Sequence, residues 1–251
     1  MMRKMAKRLA MLLALLVAAS PAWATDEIQV YTGEVAAPHE WSLLQHLNYG
    51  FTRLKTANPR VVNTYGTVNG TPELAYGVTD WYETGLYLPF AARDDRFFPG
   101  GAKFRNLFVS PDAANRTFFY GINTELSWAP QRFSRSRWNV EFRPIVGLNL
   151  GRWQLVSNPI VDIGLGGKQP DAFMPANRLF YSVNDDLAVG VETYSNFGSF
   201  GHFGKAASQV HQVFAAADFR VFGVDVNVGV GRGLTAASDR WVVKTIFGVA
   251  F

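Results

Sequence analysis

The chain of 251 residues contains no cysteine, which excludes a disulfide framework, a thiol nucleophile and a thiolate metal site. Histidine is scarce, at four residues, and the four are scattered; neither a metal nor any other cofactor is expected. Past residue 24 no apolar run approaches the roughly 20 residues a membrane-crossing helix requires, so any insertion into a bilayer must use strands. An excess of basic charge is lacking as well. The chain carries 24 basic and 20 acidic residues, but four of the basic ones, Arg3, Lys4, Lys7 and Arg8, sit in the first 24 residues beside no acidic residue. The remainder is balanced, which removes the support for a nucleic-acid partner.

What is present begins with an export leader. The basic start is followed by an apolar run from Leu9 to Ala19 and by Ala22-Trp23-Ala24, a small-x-small cleavage pattern before Thr25. Residues 1–24 are therefore expected to be removed as a secretory signal peptide. Residues 25–39 alternate weakly, Ile28, Val30 and Thr32 against Gln29, Tyr31 and Gly33, and fit an extra strand, a periplasmic lead-in or a small plug. Residues 40–251 read as one domain.

In that domain, strand patterns are expected near 40–51, 71–79, 81–91, 102–110, 116–128, 137–150, 152–164, 174–183, 186–196, 207–219, 222–232 and 240–251. Most are about 9 to 11 residues or slightly longer, as a tilted barrel strand requires. Tight connections at Thr79-Asp80, Gly151, Asn184-Asp185 and Val221, with a longer one at 110–115, alternate with stretches at 52–70, 92–101, 129–136, 165–173, 197–206 and 233–239. Short turns on one side and longer loops on the other are the pattern of an even-stranded transmembrane barrel with both termini in the periplasm. The fold expected is an all-β, antiparallel transmembrane barrel of about twelve strands, ten to fourteen being compatible with the spacing.

Side-chain phase gives the same reading. In 137–150, Trp138, Val140, Phe142, Pro144, Val146, Leu148 and Leu150 share one face, and Asn139, Glu141, Arg143, Gly147 and Asn149 the other. Trp41, Trp81, Trp128, Trp138, Trp153 and Trp241 all fall at expected strand ends, where aromatic girdles meet the two membrane interfaces; Trp81 has lumen phase unless the turn rotates it. If the apolar face meets lipid, the opposite face lines the interior with Glu73, Glu83, Lys103, Arg105, Glu125, Glu141, Arg143, Asp162, Arg178, Glu192, Asp225, Arg240 and Lys244. Arg143 is expected near Glu125, and Lys244 near Asp225. Mixed signs fit either a structural ion-pair network or a selectivity lining for a solute. The last segment, Trp241 to Phe251, alternates likewise and resembles the closing-strand insertion signal of outer-membrane proteins, with Phe251 as its terminal aromatic and Ile246 where glycine often stands.

Catalysis has weaker support. The stretch 192–198, ETYSNFG, resembles the His-Tyr-Ser-Asn core of lipid A deacylase barrels with Ser195 in the nucleophile position, but Thr193 stands where the histidine belongs, so no local base is supplied. His46, His202 and His211 are read as loop or lumen groups. The glycine-rich 164–167 and 229–233 lack the strand-to-helix context of a phosphate loop.

The stretch 74–90, LAYGVTDWYETGLYLPF, resembles the Tyr-Gly-Val-Thr-Asp and Glu-x-Gly hairpin of the outer-membrane transporter family named for the meta-pathway of phenol degradation. That resemblance implies a barrel and passage of small organic or aromatic compounds, and carries over no site residues. The expected protein is an outer-membrane channel or transporter for a small solute, and not an enzyme; a closed structural barrel and a lipid-modifying enzyme are the alternatives. Its expected partners are outer-membrane lipids, the barrel-assembly machinery during insertion and a small-molecule solute.

Overall fold

The computed structural model of the chain describes residues 27–51, 66–166 and 171–251. Residues 1–24, expected as a leader, and most of the loop expected at 52–70 lie outside the described residues, as does part of the stretch at 165–173.

Twelve antiparallel strands form a closed barrel in which sequence neighbours are spatial neighbours throughout. They are β1 (Trp41–Phe51), β2 (Val68–Thr79), β3 (Tyr82–Tyr87 continued by Phe90–Arg93) and β4 (Arg96–Pro99 continued by Ala102–Val109). Next come β5 (Phe118–Trp128), β6 (Trp138–Leu150), β7 (Trp153–Asn158 continued by Val161–Leu165) and β8 (Ala172–Phe173 continued by Ala176–Asn184). The last are β9 (Leu187–Asn196), β10 (Val210–Val221), β11 (Val224–Gly233) and β12 (Trp241–Ala250). Closure is made by β1 on β12, from Ser42↔Ala250 to Phe51↔Trp241, and Trp41 and Phe251 exchange both backbone bonds at 2.8 and 2.9 Å. Pairing β1 with β12 removes the open edge of the sheet along those strands, which a strand-built membrane protein needs because lipid offers no partner to an open N–H or C=O.

Prolines explain three of the four interruptions. Pro89, Pro159 and Pro175 lack a ladder N–H, and the chain restarts after each with the same neighbours. The stretch at 92–101, expected as a loop, is a hairpin extension: Phe90–Arg93 pairs with Arg96–Pro99. Its turn, Asp94-Asp95, has φ of 50° and 59°. Aspartate tolerates this left-handed conformation, which suits a two-residue hairpin, and Phe90 stacks on Phe97 at 5.2 Å.

One end of the barrel carries 80–81, 151–152, 185–186, 222–223 and the longer 110–117; the other carries the end of β1, the start of β2, 129–137, 197–209, 234–240 and the Asp94-Asp95 turn. These are called the turn end and the loop end. Trp41, Trp81 and Trp153 mark the turn end; Trp128, Trp138 and Trp241 mark the loop end. All six are exposed, including Trp81, which lies outward against Phe108. The belt between them is apolar and exposed, with Leu126, Val146, Leu155 and Val191 typical.

The inward face is not purely polar. Leu107, Val109, Phe119, Ile145 and Val156 form a buried apolar cluster there, and Phe119 and Phe214 lie directly across from Gly147 and Gly231. A Cβ at Gly147 would stand 2.0 Å from the Phe119 ring, and one at Gly231 2.4 Å from Phe214. Each glycine makes the space in which a large interior ring lies flat on the wall.

The lumen as candidate functional site

Residues 27–40 are not part of the sheet. They run inside the barrel, docked at the turn end where His39 N–H donates to Gly77 O and Gly77 N–H donates to Glu40 O, at 2.8 and 3.0 Å. Deeper in, side chains of the wall hold the segment. The Ala36 N–H donates to Glu83, Lys244 Nζ to Ile28 O at 3.0 Å, Arg143 to Gln29 O at 3.3 Å, and Lys103 Nζ to Glu27 at 2.8 Å.

Tyr31 sits at the centre of these contacts. Its backbone N–H donates to Asn158 Oδ1 at 2.7 Å, and Asn158 Nδ2 returns a bond to Tyr31 O at 3.2 Å. Its hydroxyl is bonded to that of Tyr87. The Arg143 and Arg105 guanidinium carbons stand 4.6 and 5.6 Å from its ring centroid, within range for attraction between a cation and a ring quadrupole.

The wall around it carries two groups of ions. In the first, on β1 to β7, Arg105 bridges Glu73 and Glu83, and His46 Nε2 reaches Glu73 at 3.2 Å. Lys103 lies between Glu27 and, at 3.7 Å, Glu125. Glu125 stands directly opposite Glu141 across β5 and β6, and Glu141 opposite Asp162 on β7. Asn123 Nδ2 donates to Glu125 at 2.8 Å. A cavity of about 40 Å³ opens beside these carboxylates, lined also by Lys103, Ser134 and Asn139; that is room for about one or two water molecules. The second group, on β8 to β12, joins Lys244 to Glu192, with Tyr194 OH donating to Glu192 at 2.8 Å, and Arg178 to Asp218 at 2.6 Å.

Glu73, Glu83, Arg105, Glu125, Glu141, Arg143, Asp162, Arg178, Glu192 and Lys244 are buried on the inward face, and Lys103 nearly so. Two expected lumen residues keep the inward phase but sit at the rims of the barrel, where they are exposed. Asp225 follows the tight turn at 222–223 and is bonded to Arg220 at 2.6 Å; Arg240 immediately precedes β12 at the loop end, two residues before the buried Val242. The two expected pairings fare differently. Arg143 binds Glu141, two residues along its own strand, at 2.8 Å, and with Asn123 directly opposite it Glu125 stands on the diagonal, within its neighbourhood as expected. Lys244 binds Glu192, three strands away on the curved interior, while Asp225 pairs in register with Gly248. Tyr31, Tyr87, Asn158 and Asp218 were not singled out by sequence; Tyr87 shares the phase of Glu83 and was recoverable from it.

Ser195 has no histidine in its own segment, as expected, but on β9 it stands directly opposite His211 of β10, and His211 Nδ1 lies 2.9 Å from its Oγ.

No protein-family model matches the chain, and no curated protein matches it by sequence. Among solved structures, an outer membrane channel from Pseudomonas putida F1 superposes with a TM-score of 0.63 at 16% identity, over 90% of this chain and 100% of that one. The KdgM porin in complex with disordered oligogalacturonate gives 0.49 at 11% identity, over 84% and 98%, and a bacterial polysaccharide outer membrane secretin 0.45 at 9%, over 87% and 100%. The first of these likenesses shows the fold.

Proposed function

We propose that the chain is an outer-membrane channel for small solutes, aromatic ones among them, and that residues 27–37 act as its internal plug. The observation that carries this reading is the way the segment is held. It contributes no strand to the ladder and is fixed by side-chain bonds, with Tyr31 between Arg105 and Arg143, so it can leave without opening the barrel. A ring with a hydroxyl is the group the lumen accommodates there, which supports an aromatic solute, as does the resemblance of residues 74–90 to the phenol meta-pathway transporters. The apolar belt with tryptophan at both ends supports membrane residence, and the leader supports export with cleavage after Ala24.

The test is planar-bilayer conductance of the chain from Thr25 onward and of a variant lacking residues 27–37, each verified as heat-modifiable on gels. The deletion is expected to raise conductance severalfold, with current blocked by millimolar phenol or benzoate. A deletion variant that folds and does not conduct would establish the closed structural barrel instead.

A further inference from the structure

Outside the lumen, a second constellation is assembled by β9, β10 and the 197–209 connection. Ser195 shares the outward face with Val189 and Val191, both exposed, while Glu192 between them points inward and is buried. Its hydroxyl meets His211 Nδ1 at 2.9 Å, and His211 Nε2 meets Gln209 Oε1 at 2.8 Å. The orientation of the Gln209 amide is fixed independently, because its Nε2 donates to Gly204 O at 2.7 Å. The amide oxygen facing the ring can only accept, so the proton resides on Nε2 and the lone pair of Nδ1 faces the serine, the tautomer a general base requires. The backbone is held as well: Ser238 Oγ lies 2.9 Å from both His211 N and O, and Thr235 Oγ1 donates to Gln209 O at 2.6 Å.

The surroundings are apolar and outward. Phe197 packs edge-on against His211 at 4.9 Å and joins Phe173, Phe200 and Phe203 in one aromatic cluster. Phe200, Phe203 and the nearby Leu234 are more than half exposed. This places a nucleophile, a base and an orienting amide at the loop-end margin of the lipid-facing belt.

We infer that Ser195, His211 and Gln209 form an acyl-transfer site for the acyl esters of membrane lipids, separate from the channel. Ser195 Oγ attacks the ester carbonyl carbon as its proton passes to His211 Nδ1. The C–O bond to the alcohol then breaks, and His211 returns the proton to the departing oxygen. Water, deprotonated by His211, releases the fatty acid and restores the serine. Gln209 is a positioning residue that holds the ring and its tautomer.

The test uses the folded mature chain in detergent and in liposomes. A fluorophosphonate probe, which phosphonylates an activated serine with loss of fluoride, is expected to label the wild type. Labelling should vanish in Ser195→Ala and fall by about 100-fold or more in His211→Phe, the usual scale of general-base assistance. It should fall in Gln209→Leu and return in Gln209→Glu, which restores an acceptor oxygen. Release of fatty acid from liposomes of phosphatidylethanolamine, or from those containing lipid A, identifies the source of the ester. Heat-modifiable gel mobility checks that each variant is folded. A folded wild type that is not labelled, labelling that persists in Ser195→Ala, or labelling with release from neither lipid overturns the assignment. None of these results depends on conductance.

Discussion

The wall of β3 to β6 and the wall of β9 to β12 enclose the same lumen and are built differently. On the first, Glu83, Arg105, Glu125, Glu141 and Arg143 are buried side by side, and Glu83, Lys103 and Arg143 each bond a residue of the inner segment. On the second, the inward positions are largely Phe214, Ala216, Gly229, Gly231, Val242 and Ile246, and Lys244 is the charge that reaches the segment. A buried ion is stable only when its partners satisfy it, so the first wall depends on its own pairings and the second on packing. The plug is thereby anchored mainly to one side. Displacement is expected to start where Lys244 holds it, with the Tyr31 side released last.

The largest expected effect follows from Arg105. It bridges Glu73 and Glu83 with all three side chains at least 95% buried, and Arg105→Ala takes the guanidinium from both carboxylates, leaving Glu73 with His46 and Glu83 with the Ala36 N–H. A loss of about 3–5 kcal/mol is expected, the scale for removing one partner of a buried pair, measured by urea unfolding of the refolded barrel in liposomes. A loss below about 1 kcal/mol would mean that the first wall is hydrated and that the contrast between the walls fails.

Tyr31→Ala should have a smaller effect on unfolding and a clear one on gating. It removes a ring between two guanidinium groups and the hydroxyl bond to Tyr87, contacts together worth about 1–2 kcal/mol, which corresponds to a 5- to 30-fold rise in the open fraction. Tyr31→Phe should retain most of the closure. Equal conductance for the wild type and both variants would detach the plug from gating.

Arg143→Ala removes the Glu141 bond and the bond to Gln29 O, while Lys103 remains near Glu125. About 2 kcal/mol is expected in unfolding, the scale of a hydrogen bond to a charged group, with a shift of single-channel selectivity toward cations because Glu141 is left unneutralised. No change in either would place Arg143 outside the network.

How much of this was readable before the structure differs with distance along the chain. The strands are legible because alternation and turn residues are local signals; the pattern over 137–150 corresponds to the strand Trp138–Leu150. The inward phase of Glu125, Arg143 and Lys244 followed from the same period of two, since a residue's face is fixed once its strand is. The 92–101 hairpin is not legible in the sequence because Pro89 and Gly100-Gly101 break the pattern on both sides of it. What alternation cannot carry is register and curvature. The partner of Lys244, the seat of Tyr31 and the approach of His211 to Ser195 are set by which strands meet and how the barrel bends, and no window of sequence contains that.

The smallest effect tests this last point. Sequence spacing assigned Asp225 to Lys244, whereas the barrel pairs Lys244 with Glu192, both side chains 2% exposed, and leaves Asp225 at the surface with Arg220. An exposed pair of this kind contributes little, because water screens it and two flexible side chains must be held. Asp225→Asn is therefore expected to leave the unfolding midpoint and ion selectivity unchanged. Glu192→Gln, which strips the Lys244 ammonium of its buried counter-charge, should lower the midpoint and loosen the hold on Ile28 O. If Asp225→Asn reproduces the Glu192→Gln result, β11 is shifted relative to β12, and the second wall carries its charge at the turn end instead of beside the plug.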